Sequence, residues 1–190
     1  MTGLYFGSFN PIHIGHLAIA NYFVEYANLN ELWFIVSPQN PLKEKNTLLP
    51  DYQRFELVNH ALRDYPKFKV SNIEFSLPQP SFTVDTLAYL DEKYPDRKFA
   101  LIIGEDNLSS FHKWKNFEQL LSERKFLVYP RPNCKKSKFH IHPNVILMDA
   151  PYMEISSSFI RDSIKKGKDI RFFLPEKTWE YIDDMSFYKK

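Results

Sequence analysis

The sequence predicts an α/β protein built on a doubly wound parallel sheet. Two patterns predict it. Short segments are apolar throughout instead of alternating, as strands buried on both faces require. Segments of helical spacing, roughly 10–15 residues long, separate them, which is the strand–helix alternation of a parallel sheet. Size agrees, since 190 residues with 44% hydrophobic and 25% charged suit a single globular unit. That unit is expected to span residues 1–190, with a helical C-terminal part over about 151–190.

The first strand is expected over residues 3–6 (GLYF), with a helix over 17–26 in which Leu17, Ala20, Phe23 and Val24, continued by Ala27, share a face. Residues 32–36 (LWFIV) precede a helix over 52–62, where Phe55, Leu57, Val58, Ala61 and Leu62 recur. A weak strand near 68–70, extended through 73–75, precedes a helix over 84–94. Residues 99–103 (FALII) precede a helical stretch that includes 117–121. Residues 126–129 (FLVY) and 145–148 (VILM) supply two further strands, and two helices follow near 157–166 and 176–184. There is no repeat and no low-complexity tract. Two long segments carry three prolines each. Residues 38–50 include Lys43 and Lys45; residues 130–143 include Lys135, Lys136, Lys138, His140 and His142. Loops of this length are usually functional lids or disordered segments, and the second reads as a solvated basic loop.

Composition excludes several classes. A net charge of +2 is too balanced for a chain that lives on nucleic acid. No apolar run approaches the ~20 residues of a membrane span. The start, MTGLYFGSFN, lacks the basic region and apolar core of a secretory signal. One cysteine, Cys134, excludes an internal disulfide and a cysteine-cluster metal site, and fits a reducing compartment. The expected setting is the cytoplasm, with no nucleic-acid or membrane partner; a homo-oligomer is left open.

The strongest chemical signal is GSFNPIHIGH, residues 7–16, where the first strand ends and the first helix begins. Ligands of doubly wound sheets bind beyond the carboxyl ends of the strands. A helix start there offers unpaired N–H groups and partial positive charge. Gly7 permits a tight turn and a close backbone approach. Pro11 fixes the loop. His13 and His16, three apart, share a face, and Gly15 removes a side chain that could block it. These features together suit a polyphosphate. Neither GxxxxGK[ST] nor GxGxxG occurs.

The second signal is ISSSFIR, residues 155–161. Ser156 is placed to cap the following helix, Ser157 and Ser158 fall in its first turn, and Arg161 lies one turn on. Alone, this describes an ordinary capped helix with a surface arginine; beside the first motif it is a second anion cradle. Gly104 and Asp106 follow the carboxyl end of a buried strand, and Trp114 offers a flat face to an aromatic ring. Thr83 stands where a helix N-cap is expected, and a helix start with free N–H groups also suits a carboxylate.

Together, GSFNPIHIGH and ISSSFIR resemble the nucleotidyltransferases with a (T/H)xGH signature, most closely the bacterial nicotinate-nucleotide adenylyltransferases. PQNPLK (38–43), SFTVDTL (81–87) and IIGEDNLSSFHKW (102–114) are similar to that family in order and spacing, so the resemblance runs from Leu4 to about Pro175. It implies a Rossmann-like nucleotidyltransferase fold and adenylyl transfer from ATP to nicotinate mononucleotide, giving deamido-NAD and pyrophosphate in NAD biosynthesis. It further implies that His13, His16 and Arg161 are catalytic, and that Gly7, Ser8, Phe9, Gly15, Ile155, Ser156 and Ser158 line the ATP site, with Lys43 reaching a phosphate. On the acceptor side it implies that Trp114 stacks on the pyridine, that the amides of Val84 and Lys115 read the carboxylate, and that Thr83, Gly104 and Asp106 orient the mononucleotide. Mg²⁺ is expected on the triphosphate, with no protein ligand assigned.

Asn10 stands where that family usually has Asp, Ser8 where Thr or Gly is common, and Lys115 where an aromatic is frequent. Transfer to nicotinamide mononucleotide, phosphopantetheine or FMN, and a non-catalytic ATP sensor, are the competing readings. The HIGH tetrapeptide also resembles a class I aminoacyl-tRNA synthetase motif, which the short, near-neutral chain argues against.

Overall fold

The computed structural model describes residues 1–38 and 48–189. Among them, six strands form one parallel sheet: β1 (Thr2–Gly7), β2 (Glu31–Val36), β3 (Phe68–Ser71), β4 (Phe99–Gly104), β5 (Lys125–Tyr129) and β6 (Val145–Leu147). Their order is β3-β2-β1-β4-β5-β6. In register, Leu4 faces Trp33 on one side and Leu101 on the other. The helices are α1 (Ile14–Tyr26), α2 (Asp51–Leu62), α3 (Thr83–Lys93), α4 (Glu105–Ser110), α5 (Phe117–Glu123), α6 (Ser157–Lys165) and α7 (Glu176–Asp184).

The uniformly apolar strands are explained by two cores, one on each sheet face. Along β2 successive side chains point to opposite faces. Leu32, Phe34 and Val36 pack with Phe23, Leu57 and Ile160, while Trp33 and Ile35 pack with Leu87, Leu108 and Phe111. The chain winds outward from β1 through β2 to β3, then returns to β4 on the other side of β1. The reversal leaves a crevice at the carboxyl ends of β1 and β4, the expected ligand position.

Four local expectations are corrected. Residues 73–75 do not extend β3; Ile73–Ser76 form a 3-10 turn that buries Ile73 and Glu74. The single helical stretch expected after β4 is two helices, α4 and α5, separated by a 3-10 turn at Phe111–Lys113. The first helix begins at Ile14, not at residue 17, so both histidines belong to its start. Residues 130–143 are not simply a solvated loop. Lys138–Ile141 form a 3-10 turn that buries Phe139, and His140 Nε2 lies 3.1 Å from Glu105 Oε1; Lys135, Lys136 and Lys138 are exposed.

Beneath the crevice Arg54 is 0% exposed. Its guanidinium donates to the carbonyls of Ser8 (2.6 Å), Ser37 (2.8 Å), Pro38 (3.0 Å) and Leu49 (3.0 Å), and to Asp51 Oδ1 (2.6 Å). A buried cation is tolerated only when paired and fully hydrogen-bonded. Here the pairing ties the ends of β1 and β2 to the start of α2. The C-terminal part closes on the same region: Thr178 Oγ1 donates to Leu57 O (3.3 Å) and Tyr188 OH to Asn10 Oδ1 (2.8 Å).

Candidate active site

A cleft of about 840 Å³ opens at the crevice, lined by both motifs. In the first motif Phe9 takes a left-handed backbone (φ 43°). This turns its ring inward against Tyr5, His16 and Phe34, at centroid distances of 5.7, 5.2 and 5.5 Å. Gly7 is required there, because a Cβ on it would lie 2.7 Å from the Phe9 ring. Phe9 thus presents backbone to the cleft and side chain to the core.

His13 is the N-cap of α1, and its backbone N–H donates to His16 Nδ1 (3.3 Å). The accepting nitrogen must carry a lone pair, so the neutral His16 ring bears its proton on Nε2. The two imidazoles are stacked, with centroids 3.7 Å apart. His13 is 3% exposed. Burial, and secondarily the charge of Arg131, push its pKa down to about 4, so it is neutral at pH 7. Its Nδ1 has no hydrogen-bond partner among the described residues. A Cβ on Gly15 would stand 3.1 Å from that atom and 3.4 Å from Ile155 Cβ. Gly15 does not itself line the cleft; its bareness lets the histidine ring and the second motif meet.

The His13 shift predicts an acid limb in stability. Native His13 takes its proton near pH 4, an unfolded histidine near 6.5, so between these values the unfolded state binds more protons. This contribution is complete above pH 6.5 and falls as pH drops towards 4, by ~3 kcal/mol at most. Urea unfolding near pH 7 and near pH 4 should show the loss in the parent and a smaller one in His13→Asn. An equal loss in both would remove His13 as its source.

The second motif lies against the first. Ser156 Oγ caps α6 by accepting from Phe159 N (3.1 Å). Ser157 Oγ donates to Pro11 O (2.9 Å), and Arg161 donates to Asn10 O (2.8 Å) and Ser158 Oγ (3.3 Å). Segments 146 and 151 residues apart in sequence therefore share one wall. Asn10 is a hinge point of that wall, since its Oδ1 accepts from Leu49 N (3.2 Å) as well as from Tyr188 OH. Both bonds need an oxygen and neither needs a charge, which accounts for an amide at this position.

At the other end of the cleft α3 begins at Thr83, and the cap is Phe82, not Thr83. The Phe82 carbonyl accepts from Asp85 N (2.9 Å) and Thr86 N (3.1 Å). The N–H groups of Thr83 and Val84 thus precede the helical ladder. Thr83 lines the cleft; the Val84 side chain packs into the second core and does not. Trp114 lines the cleft with its ring 5.2 Å from Phe111. Lys115 also lines it, its Nζ held by Asp85 (2.8 and 3.0 Å) and lying 5.0 Å from the Phe82 ring centroid. Gly104 and Asp106 line the β4 side, where a Cβ on Gly104 would collide with the Asp106 carboxylate. Gly7, Ser8, Phe9, His13, His16, Ile155, Ser156, Ser158 and Arg161 line the same cleft. Lys43 lies outside the described residues.

Sequence reasoning missed three lining or supporting groups. Arg54 reads as an ordinary polar position within a helical pattern. Arg131 follows β5 at its carboxyl end, which was the available signal; its N–H donates to Glu105 Oε2 (2.9 Å), its Nε is 3.7 Å from Asp106 Oδ1, and its guanidinium lies 5.2 Å from the Tyr129 ring centroid. Glu74 was hidden in a segment read as strand.

The strand order, the crevice and the joining of the two motifs across it are those of a Rossmann-like nucleotidyltransferase fold. The chain matches the cytidylyltransferase-like family over residues 4–163. It is 56% identical, over 99% of its length and 98% of the relative, to a protein of Flavobacterium psychrophilum named probable nicotinate-nucleotide adenylyltransferase. A Bacteroides fragilis protein of the same name is 51% identical over 95% of this chain and 90% of its own. The chain belongs to the cytidylyltransferase-like family and, within it, to the nicotinate-nucleotide adenylyltransferases. Plasmodium falciparum nicotinic acid mononucleotide adenylyltransferase complexed with NaAD shares the fold, with a TM-score of 0.82 at 22% identity over 99% of this chain and 97% of that one.

Proposed function

We propose that this enzyme transfers the adenylyl group of ATP to nicotinate mononucleotide, giving deamido-NAD and pyrophosphate, a step of NAD biosynthesis. Family membership supports the reaction. The observation that carries it to this site is the joining of the two motifs, through Arg161 to Asn10 O and Ser157 to Pro11 O, across one cleft. His13, His16, Ser156, Ser158 and Arg161, with the backbone of Gly7 to Phe9, hold the triphosphate. Trp114 stacks on the pyridine, the amides of Val84 and Lys115 take its carboxylate, and Thr83, Gly104 and Asp106 orient the rest. Arg131 supplies a further cation.

The nucleophile is the acceptor's own phosphate, whose second pKa near 6 makes it largely dianionic at pH 7. Its oxygen forms a bond to the α-phosphorus of ATP as the bond to the bridging α,β-oxygen breaks, and pyrophosphate leaves with that electron pair. No protein base is required, and a neutral His13 agrees with a donor's role. The protein aligns the two phosphates, which can supply ~7–11 kcal/mol, and stabilises the departing charge. His13, His16 and Arg161 offer N–H donors to phosphate oxygens, and Glu154, next to the second motif, lines the same cleft. Mg²⁺ would enter with the triphosphate and supply charge neutralisation there, with no protein ligand assigned to it.

Residues 1–190 are taken as one functional unit, supported by the C-terminal contacts to Asn10 and α2. Among the described residues no helix is long and apolar enough to cross a membrane, and a cytoplasmic setting belongs to this reading. The test is pyrophosphate release from ATP and Mg²⁺ with each of nicotinate mononucleotide, nicotinamide mononucleotide, phosphopantetheine and FMN. Release is expected fastest with the nicotinate acceptor, with deamido-NAD as co-product. Release with a different acceptor would replace the assignment, and release with none would leave an ATP sensor.

A further inference from the structure

A carboxyl group stands at the acceptor end of the cleft without a part in the reaction just described. Glu74, in the 3-10 turn after β3, lines the cleft together with Ser37, Ser81, Thr83 and Trp114, yet is only 3% exposed. Thr86 Oγ1, in the first turns of α3, donates to its Oε1 at 2.7 Å. The hydroxyls of Ser37, just after β2, and Ser81, just before α3, stand near enough to favour its ionised form. Burial raises its pKa, and the three hydroxyl donors oppose that rise. Its backbone carbonyl is held by Gln79 Nε2 (3.0 Å).

This placement has an electrostatic consequence. An ionised carboxylate free to turn into the cleft here would repel the carboxylate of nicotinate mononucleotide. It would equally welcome the amide N–H₂ of nicotinamide mononucleotide. The Thr86 hydroxyl instead holds one of its oxygens, with the Ser37 and Ser81 hydroxyls beside it. The same bond pins the start of α3, whose leading N–H groups face the acceptor in the reading above.

We propose that Glu74 is a specificity-determining positioning residue. Held by Thr86, it fixes the α3 N-terminus for an anionic pyridine substituent and is withheld from an amide one. The inference rests on the proposed function, because it takes Thr83, Val84 and Trp114 as the acceptor end.

Thr86→Val keeps the shape and removes one donor. The ratio of kcat/KM for nicotinate over nicotinamide mononucleotide should fall about tenfold. The fall should come through the acceptor KM, with the KM for ATP unchanged. Adding Glu74→Gln to Thr86→Val removes the freed charge and should restore most of the ratio. A purely structural role would lower Tm and both acceptors together, without restoration. An unmoved ratio in folded Thr86→Val, or equal losses for both acceptors, overturns the inference. Should Thr86→Val not fold, Thr86→Ala carries the same comparison. Parent enzyme that releases pyrophosphate with neither mononucleotide would instead overturn the function beneath it, so the two failures are distinct.

Discussion

Arg161→Ala is expected to lower kcat/KM for ATP by about 10³, the low end of what a phosphate-facing arginine supplies in phosphoryl-transfer sites. The reasoning starts from donor counting. A guanidinium has five N–H donors in a planar fork. The bonds to Asn10 O and Ser158 Oγ engage two of them, and Arg161 lines the cleft, so donors remain for phosphate oxygens. The bond to Asn10 O fixes the fork against the loop that carries His13. Arg161→Lys should recover little, because one ammonium cannot hold that carbonyl and span two phosphate oxygens. The structural share of the loss is separable. Losing the bond to Asn10 O at a half-buried site costs about 1 kcal/mol, a Tm drop of roughly 2–4 °C in a chain of this size. Steady-state kinetics beside thermal unfolding decide the matter. A fall in kcat/KM below tenfold with a Tm drop of that size would confine Arg161 to holding the loop.

The sequence displayed the sheet well, because a strand buried on both faces has no polar face to hide its apolar run. FALII and LWFIV show this, and both lie in the two-sided core. The first motif was legible for a related reason: two histidines, two glycines and a proline at a strand–helix junction have few purely structural uses. Position along the chain, however, says little about what a polar side chain meets across the fold. Arg54 sits in YQRFEL like any solvent-facing residue, and only the convergence of four carbonyls from distant segments reveals it as buried. Glu74 followed Ile73, whose apolar side chain made the segment look extended when it plugs the second core through a 3-10 turn. The helix α4 spans only six residues, too short for its period to emerge. Phe139 and His140, set among lysines, were the overlooked sign that residues 130–143 pack against Glu105.

His16→Ala is expected to lower kcat at least about a hundredfold with the fold intact, as loss of one preorganised donor at a developing oxyanion does. The ring is held by its surroundings: Nδ1 accepts the His13 N–H at 3.3 Å, the His13 ring stacks at 3.7 Å, and Phe9 meets it edge-on at 5.2 Å. With Nδ1 accepting the His13 N–H, the neutral ring carries its proton on Nε2, the nitrogen that the proposed function turns to phosphate. The neutral His13 beneath it lets two imidazoles stack without adjacent like charges. His16 therefore acts by aim and not by proton transfer. The alanine variant loses the donor and the cap of α1 together, so His16→Asn is the informative companion. Its carboxamide oxygen can still accept the His13 N–H while its N–H₂ offers a shorter-reaching donor. Tm should return to the parent value in His16→Asn while kcat recovers only in part. Should His16→Ala turn over at near the parental rate, the phosphate contact belongs elsewhere in the cleft. Should His16→Asn restore kcat in full along with Tm, the ring serves only to cap the helix.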